Sequence, residues 1–221
     1  MFFGFFADGY YFLYSNLYSI IYINPLLTAF TMLDIVFPEK NEAEFIEMAK
    51  RLGYDSLCFV YRTEIPENLP DAKGISICTA ALDNEKLKAD FYFSQDIKTI
   101  REKIEGARFK LFFSLEAHSE PDFIHHRNSK MNQVFANIAS EKDKIIAFDF
   151  NAILNSLGIV RARYLGRMML NVSLCRKYKV KMCLASFAKS PFEMRAPMDL
   201  MSFGRILGMS GEEVRNAFSS L

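Results

Sequence analysis

Residues 145–185, IIAFDFNAILNSLGIVRARYLGRMMLNVSLCRKYKVKMCLA, decide the fold. Ile145 to Phe150 is an almost unbroken apolar run, the pattern of a strand covered on both faces. Arg161 to Tyr178 places Leu165, Met168, Met169, Val172 and Cys175 at helical spacing and reads as the longest helix of the chain. Val180 to Ala185 is apolar again. A strand, a long helix and a second strand form a parallel pair with a right-handed crossover.

The same alternation extends upstream. Leu33 to Phe37, Ser56 to Val60, Ile75 to Leu82, Phe91 to Phe93 and Leu111 to Leu115 read as further strands. Helices are expected over Glu42 to Leu52, Ile97 to Gly106 and Met131 to Ala139, and two more close the chain, Met198 to Leu207 and Gly211 to Ser219. Seven strand candidates separated by helices leave a barrel or a doubly wound sheet. No GxGxxG follows a strand and no GxxxxGKS/T occurs, so the phosphate-cradling open sheets lack support and an α/β TIM-like barrel over residues 32–221 is favoured.

Residues 1–31 differ from everything after them. They carry one charge, Asp8, and are built from Phe, Tyr, Ile and Leu, with no cationic start of the kind a secretory signal needs. Residues 9–30 are uncharged and long enough to cross a bilayer, but Asn16, Asn24 and Pro25 weaken that reading and no basic cluster flanks them. An N-terminal extension outside the working domain, from a start placed too far upstream or as a loose appendage, is the expectation. Cys58, Cys78, Cys175 and Cys183 show no CxxC spacing and sit in apolar runs. They read as small hydrophobes in a reducing, cytoplasmic compartment rather than as disulfides or structural zinc ligands.

The net charge of +1 conceals a local excess. Residues 151–200 hold Arg161, Arg163, Arg167, Arg176, Lys177, Lys179, Lys181, Lys189 and Arg195 against Glu193 and Asp199 only, nine cations to two anions. Either a polyanion covers this region or these are solvated helix faces. Arg163 and Arg167 lie four apart on one helical face, where like charges repel mildly unless an anion covers them. Arg195 is open between contact with such a polyanion and a structural pairing with Asp199 or a barrel carboxylate.

In a barrel the strand ends carry the site, which would gather Asp34, Phe37, Arg62, Ser114, Glu116, Asp149 and Ser186 on one rim. Metal phosphoesterases need several fixed ligands there. The first strand instead ends Asp34-Ile35-Val36-Phe37-Pro38, and the three histidines, His118, His125 and His126, all fall in one loop region, near Glu116 and Asp122. Ser114 and Ser186 have no GxSxG elbow. Asp149 reads as a helix cap in preference to a base.

The C-terminal third resembles the thirty-kilodalton protein subunit family of ribonuclease P, called component 3 in archaea. The resemblance is carried in order by the helix with Met168-Met169, by Lys177-Tyr178-Lys179-Val180, by Ser186-Phe187-Ala188, by Arg195-Ala196-Pro197-Met198-Asp199-Leu200 and by Gly208-Met209. Met32 to Pro38 with the following acidic helix and Leu52-Gly53-Tyr54-Asp55 is similar to the family's start. Phe187 stands where the family commonly has a small residue. The resemblance implies a barrel related to metal phosphoesterases without their metal site, and a non-catalytic, RNA-binding subunit of the ribonucleoprotein that removes the 5′ leader of precursor tRNA. The RNA would cut, with Mg2+, and a small ferredoxin-like protein subunit would be the partner, with no membrane involved. The RNA-binding candidates are Arg161, Arg163, Arg167, Lys177, Lys179, Lys181, Lys189 and Arg195. A metal-dependent phosphoesterase on the same barrel is the alternative.

Overall fold

The computed structural model describes residues 31–96, 99–219 and 221. The readings made for residues 1–30, extension or membrane anchor, lie outside them. Residues 31–221 form one compact unit. It contains seven strands: β1 (Leu33–Val36), β2 (Ser56–Tyr61), β3 (Ser76–Leu82), β4 (Phe91–Ser94), β5 (Leu111–Phe113), β6 (Ile145–Asp149) and β7 (Lys181–Ala185). Its helices are α1 (Glu42–Leu52), α2 (Ile100–Glu105), α3 (Gln133–Glu141), α4 (Phe150–Leu154), α5 (Gly158–Tyr178), α6 (Pro197–Ile206) and α7 (Gly211–Ala217), with a 3-10 turn at Pro191–Glu193. The strands pair in sequence order, and every pairing is parallel.

Alternation along the strands makes two layers of core. Ile35, Val60, Leu82, Phe93, Phe113, Ala147 and Ala185 belong to one buried cluster with contributions from all seven strands, which is the barrel interior. Their neighbours face outward: Phe112, Ile146, Phe148 and Leu184 pack under α3, α5, α6 and α7, while Leu57 and Phe59 pack under α1. Because both faces are covered, the strands read as continuous apolar runs. Cys58, Cys175 and Cys183 are buried as free thiols, and Cys78 is half-buried.

Local chemistry sets the helix ends. Gly53 closes α1 at φ 83, where its N–H bonds to Ala49 O and Lys50 O. Pro197 opens α6 at a position whose N–H has no helical partner. Ser210 and Glu213 form a reciprocal capping box on α7. One expectation needs correction: β2 to β3 and β3 to β4 are joined by segments without a helix.

Closure between the first and last strand is not a ladder. Beyond Ala185 the chain departs from strand geometry, with Phe187 at φ 51, and only the bridge between Val36 and Ala188 and the bond from Phe37 N–H to Ala188 O (2.8 Å) join the two edges. Asp34 supplies the rest. Its carboxylate, fully buried, accepts from Ser186 N–H at 2.7 Å and from Ser186 Oγ at 2.6 Å. Asp34 therefore lies on the seam within β1 and not on the rim.

Asp34→Ala would orphan the Ser186 amide and hydroxyl in a dry site, and is expected to lower unfolding free energy by about 2–4 kcal/mol. Asp34→Asn, which keeps an acceptor, should cost less. Urea titration of the two variants beside the parent checks this; an alanine variant as stable as the parent would mean that the backbone bridge alone closes the barrel.

Candidate nucleic-acid interface and the barrel mouth

At the C-terminal ends of the strands, where barrel enzymes place their chemistry, β1, β5 and β7 bring three phenylalanines together. Phe113 and Phe187 stack at 4.5 Å with 11° between their planes, and Phe37 tilts against them at 6.1 and 6.3 Å. The large residue at 187 is thus part of an aromatic plug. Among the described residues no three His, Cys, Asp or Glu side chains are grouped to hold a metal ion.

The polar rim residues have structural partners. Ser114 Oγ donates to Asp149 Oδ2 at 2.7 Å, and Asp149 Oδ1 accepts from Ala152 N–H at 3.0 Å, capping α4. Burial pushes the Asp149 carboxyl up to about 6. Glu116 is fully buried and takes a hydrogen bond from Asn171 Nδ2 at 3.0 Å, but its Oε2 and Asn171 Oδ1 have no partner. Burial pushes Glu116 up to about 7, and a proton on it supplies the donor that this pair of acceptors lacks. His118 Nε2 meets Asn128 O at 2.8 Å, whereas His125 and His126 are exposed.

The eight candidate cations divide between the two ends of the barrel. The 21 residues of α5 run back against the strands over roughly 31 Å. Arg161 and Arg163 open this helix near the C-terminal rim, which Lys189 and Arg195 share by following β7. Lys177, Lys179 and Lys181 lie at the opposite end. Lys177 and Lys179 are exposed, with Lys179 in the left-handed cap position of α5 (φ 58) and Lys177 Nζ 5.2 Å from the Tyr178 ring. Lys181 pairs with Asp143 at 2.7 Å, a carboxylate that Lys110 also holds at 2.6 Å. Lys189 is exposed, and Arg163 is half-buried.

Three of the arginines are engaged within the chain. Arg161 Nε donates to Ile153 O at 3.1 Å at the end of α4. Arg195 donates to Phe192 O at 3.1 Å and Met194 O at 2.8 Å and lies 6.0 Å from the Phe150 ring, so its partners are carbonyls and an aromatic face and not Asp199. Arg167 leaves the candidate interface altogether. Its side chain is fully buried, with Nε on Asp122 Oδ1 at 2.7 Å and further bonds to the carbonyls of Glu116 (2.9 Å), His118 (3.1 Å) and Glu120 (2.6 Å). Burial alone would raise the Asp122 carboxyl; the bond from Arg167 brings it below its ordinary value.

Arg167 thereby pins the segment after β5 onto α5, and this segment carries residues outside the eight RNA-binding candidates. Lys130 pairs with Glu120, and Asn128 N–H donates to Asp122 Oδ1 at 3.0 Å. Arg127 lies across α5 at Gly166, where a Cβ would stand 1.8 Å from its Nη1. Only the close approach of a helix glycine to a guanidinium signals this crossing, and spacing along the chain does not reveal it.

Arg167→Ala is expected to cost about 2–4 kcal/mol in a thermal or urea melt, while Arg163→Ala stays within about 0.5 kcal/mol of the parent; equal effects would contradict the pinning role. A pH dependence is expected as well. Burial raises Asp34 to about 7, Glu116 to about 7 and Asp149 to about 6. A carboxyl raised in the folded state contributes its stability in full below the unfolded value, and loses it as pH rises through the folded value. Stability should therefore fall between about pH 4.5 and 7, and Glu116→Gln should flatten that fall by up to about 1.4 kcal/mol per pH unit. Its amide can also donate to Asn171 Oδ1. Unfolding curves across this range check it, and an unchanged slope in the glutamine variant would overturn the assignment.

Comparison with known proteins bears on this geometry. The family described as RNase P subunit p30 matches residues 121–221. Ribonuclease P protein component 3 of Methanosarcina barkeri is 33% identical over 102 residues, 44% of this chain and 43% of that protein. Its counterpart from Thermococcus kodakarensis is 32% identical over 133 residues, 60% of this chain and 57% of that protein. The matched segments thus span about half the length of these curated relatives. Among solved structures, a chain of the cryo-EM structure of archaeal ribonuclease P with mature tRNA superposes with a TM-score of 0.67 at 18% identity, covering 85% of this chain and 87% of that one. The crystal structure of A. niger ochratoxinase shares the fold more distantly, with a TM-score of 0.51 at 10% identity over 85% of this chain and 69% of that one. The RNase P subunit p30 family is thus matched by residues 121–221, a little under half of the chain, and the TIM-like barrel around them superposes on a chain of archaeal ribonuclease P.

Proposed function

We propose that this protein is a non-catalytic, RNA-binding subunit of ribonuclease P that supports RNA-catalysed removal of the 5′ leader from precursor tRNA. The observation that carries the reading is the phenylalanine plug of Phe37, Phe113 and Phe187 where a barrel enzyme would place its reacting groups. Chemistry then falls to the RNA, which uses Mg2+, and the protein contributes charge. Exposed Lys177, Lys179 and Lys189, with half-buried Arg163, lie at the two ends of a barrel about 30 Å apart, a separation that suits a folded RNA better than a small substrate. The small ferredoxin-like subunit and the cytoplasmic setting belong to this reading through the family. Among the described residues no helix is long and apolar enough to cross a membrane.

The test is a titration with ribonuclease P RNA at several salt concentrations. Each of Lys177→Ala, Lys179→Ala, Lys189→Ala and Arg163→Ala that removes a true phosphate contact should weaken binding and reduce the slope of log affinity against log salt by roughly 0.7–0.9, with melting unchanged. The isolated protein should show no metal-dependent hydrolysis of phosphodiesters. Stoichiometric bound metal with such hydrolysis would replace the reading by a phosphoesterase, and parental affinity and slope in all four variants would remove its physical basis.

A further inference from the structure

Two cysteines meet in the floor of the barrel, at the end away from the aromatic plug. Cys58 of β2 and Cys78 of β3 are register partners in a parallel pair, two residues in from Ser56 and Ser76, where both strands begin. Both pack in the interior layer with Val60, Ala80 and Leu82, so their side chains point the same way. In-register neighbours on adjacent strands have Cα atoms about 4.8 Å apart, within the roughly 4.4–6.8 Å that a disulfide spans. Neither condition that forbids a bridge, distant Cα atoms or divergent Cβ directions, applies here.

Burial separates the two thiols. Cys58 is fully enclosed, whereas Cys78 is half-buried and lines a cleft of about 290 Å³ at the N-terminal end of the strands, together with Ser56, Ser76, Phe91 and Phe218. Ionisation separates them in the same sense. The Cys58 thiol, a donor beside Cys78, holds Cys78 below its ordinary value against the opposing effects of burial and Asp90, while burial pushes Cys58 well up. Burial also pushes Cys183 up to about 12, and it raises Cys175 on α5. One thiol of the four is thus reachable from solvent and inclined to ionise, and its register partner is a protonated thiol within bonding reach. A pair serving only as small hydrophobes needs neither the opening nor the adjacency.

We infer that Cys78 and Cys58 form a redox-sensitive pair, in which a peroxide oxidises Cys78 and Cys58 then closes a reversible disulfide between β2 and β3. In the first step the Cys78 thiolate attacks one peroxide oxygen. The O–O bond breaks, two electrons pass from sulfur to the peroxide, and the departing hydroxide takes up the proton that Cys78 gave up and leaves as water. In the second, the Cys58 sulfur attacks the sulfenic sulfur of Cys78, the S–O bond breaks, and the Cys58 proton leaves with the hydroxide as a second water. Two thiols and one hydrogen peroxide yield one disulfide and two waters. The pair owes nothing to the RNA-binding reading, and its oxidation leaves Phe37, Phe113 and Phe187 untouched at the far mouth.

The experiment treats the reduced full chain with hydrogen peroxide, counts the remaining thiols by maleimide labelling in denaturant and maps any linkage by peptide mass. The count should fall from four to two, with a Cys58 to Cys78 crosslink inside one chain that a dithiol reductant reverses. In Cys58→Ala, Cys78 should stop at the sulfenic acid, which dimedone labels, and in Cys78→Ala the other thiols should survive the same treatment. Retention of all the thiols at peroxide doses that convert free glutathione to its disulfide overturns the inference. So does a linkage through Cys175 or Cys183, or one found only between chains. Should an alanine variant fail to fold, the parent decides by its linkage map and by iodoacetamide, which should modify Cys78 of the folded chain ahead of Cys58, Cys175 and Cys183; equal rates at all four overturn the pairing.

Discussion

Closing seven parallel strands on themselves requires that the first and last strands meet, and in this protein they meet through a buried carboxylate. Asp34 takes both the amide and the hydroxyl of Ser186 where the ladder between β1 and β7 has only one bridge. A buried carboxylate is costly unless its oxygens are satisfied. Three donors are available, counting Ile35 N–H at 2.9 Å, and the group remains easily protonated all the same. The seam also sets the path of the chain beyond β7. With Ser186 held, Phe187 turns at positive φ and carries its ring onto Phe113, and Ala188 returns to pair beside Val36. Barrel closure and the aromatic plug of the mouth are consequences of one interaction.

A second buried charge organises the flank. A guanidinium taken wholly out of water must have its donors met, and Arg167 meets them with one carboxylate and three carbonyls from a segment about fifty residues earlier in the chain. Because the acceptors are mostly backbone, the bond set fixes the path of the segment and not merely one side chain. Asn171, one turn along the same helix face, holds Glu116. Thus α5 acts as a rail on which the post-β5 segment is mounted, and the orientation of Phe123, His126 and Arg127 is a property of that mounting.

Much of this was legible from residues alone. The strands were, because covering on both faces leaves apolar runs such as Ile145 to Phe148 that have no other reading. Helix ends were, where Gly53 and Pro197 act through their own backbone limits. The fate of the cations was not. Arg163 and Arg167 are indistinguishable by spacing and type, and what separates them is a loop folded against one and not the other. Arg195 likewise had a nearby carboxylate in sequence, yet the turn at Pro191–Glu193 brings carbonyls closer to it. Charge pattern reports where cations are along a chain, while burial depends on contacts between distant segments. The general expectation that helices separate every pair of strands fails between β2 and β4, where the element-by-element reading had placed none: parallel strands ordinarily require a long crossover, and the link from β2 to β3 supplies that length without a helix.

The division of the cations constrains how such a protein can work. Groups at opposite ends of α5 cannot act on one phosphate, so each end must either contribute separately to a large partner or be an ordinary solvated surface. The N-terminal end has partial internal compensation, since Asp143 holds Lys110 and Lys181 and Glu213 holds Arg176 at 2.7 Å. The C-terminal flank has less: with buried Arg167 engaged by Asp122, exposed Arg127 and half-buried Arg163 are in no ion pair among the described residues, beside the Phe123 and His126 rings. Withdrawing one arginine thus both mounts the post-β5 segment on α5 and occupies the carboxylate that would otherwise have neutralised its neighbours.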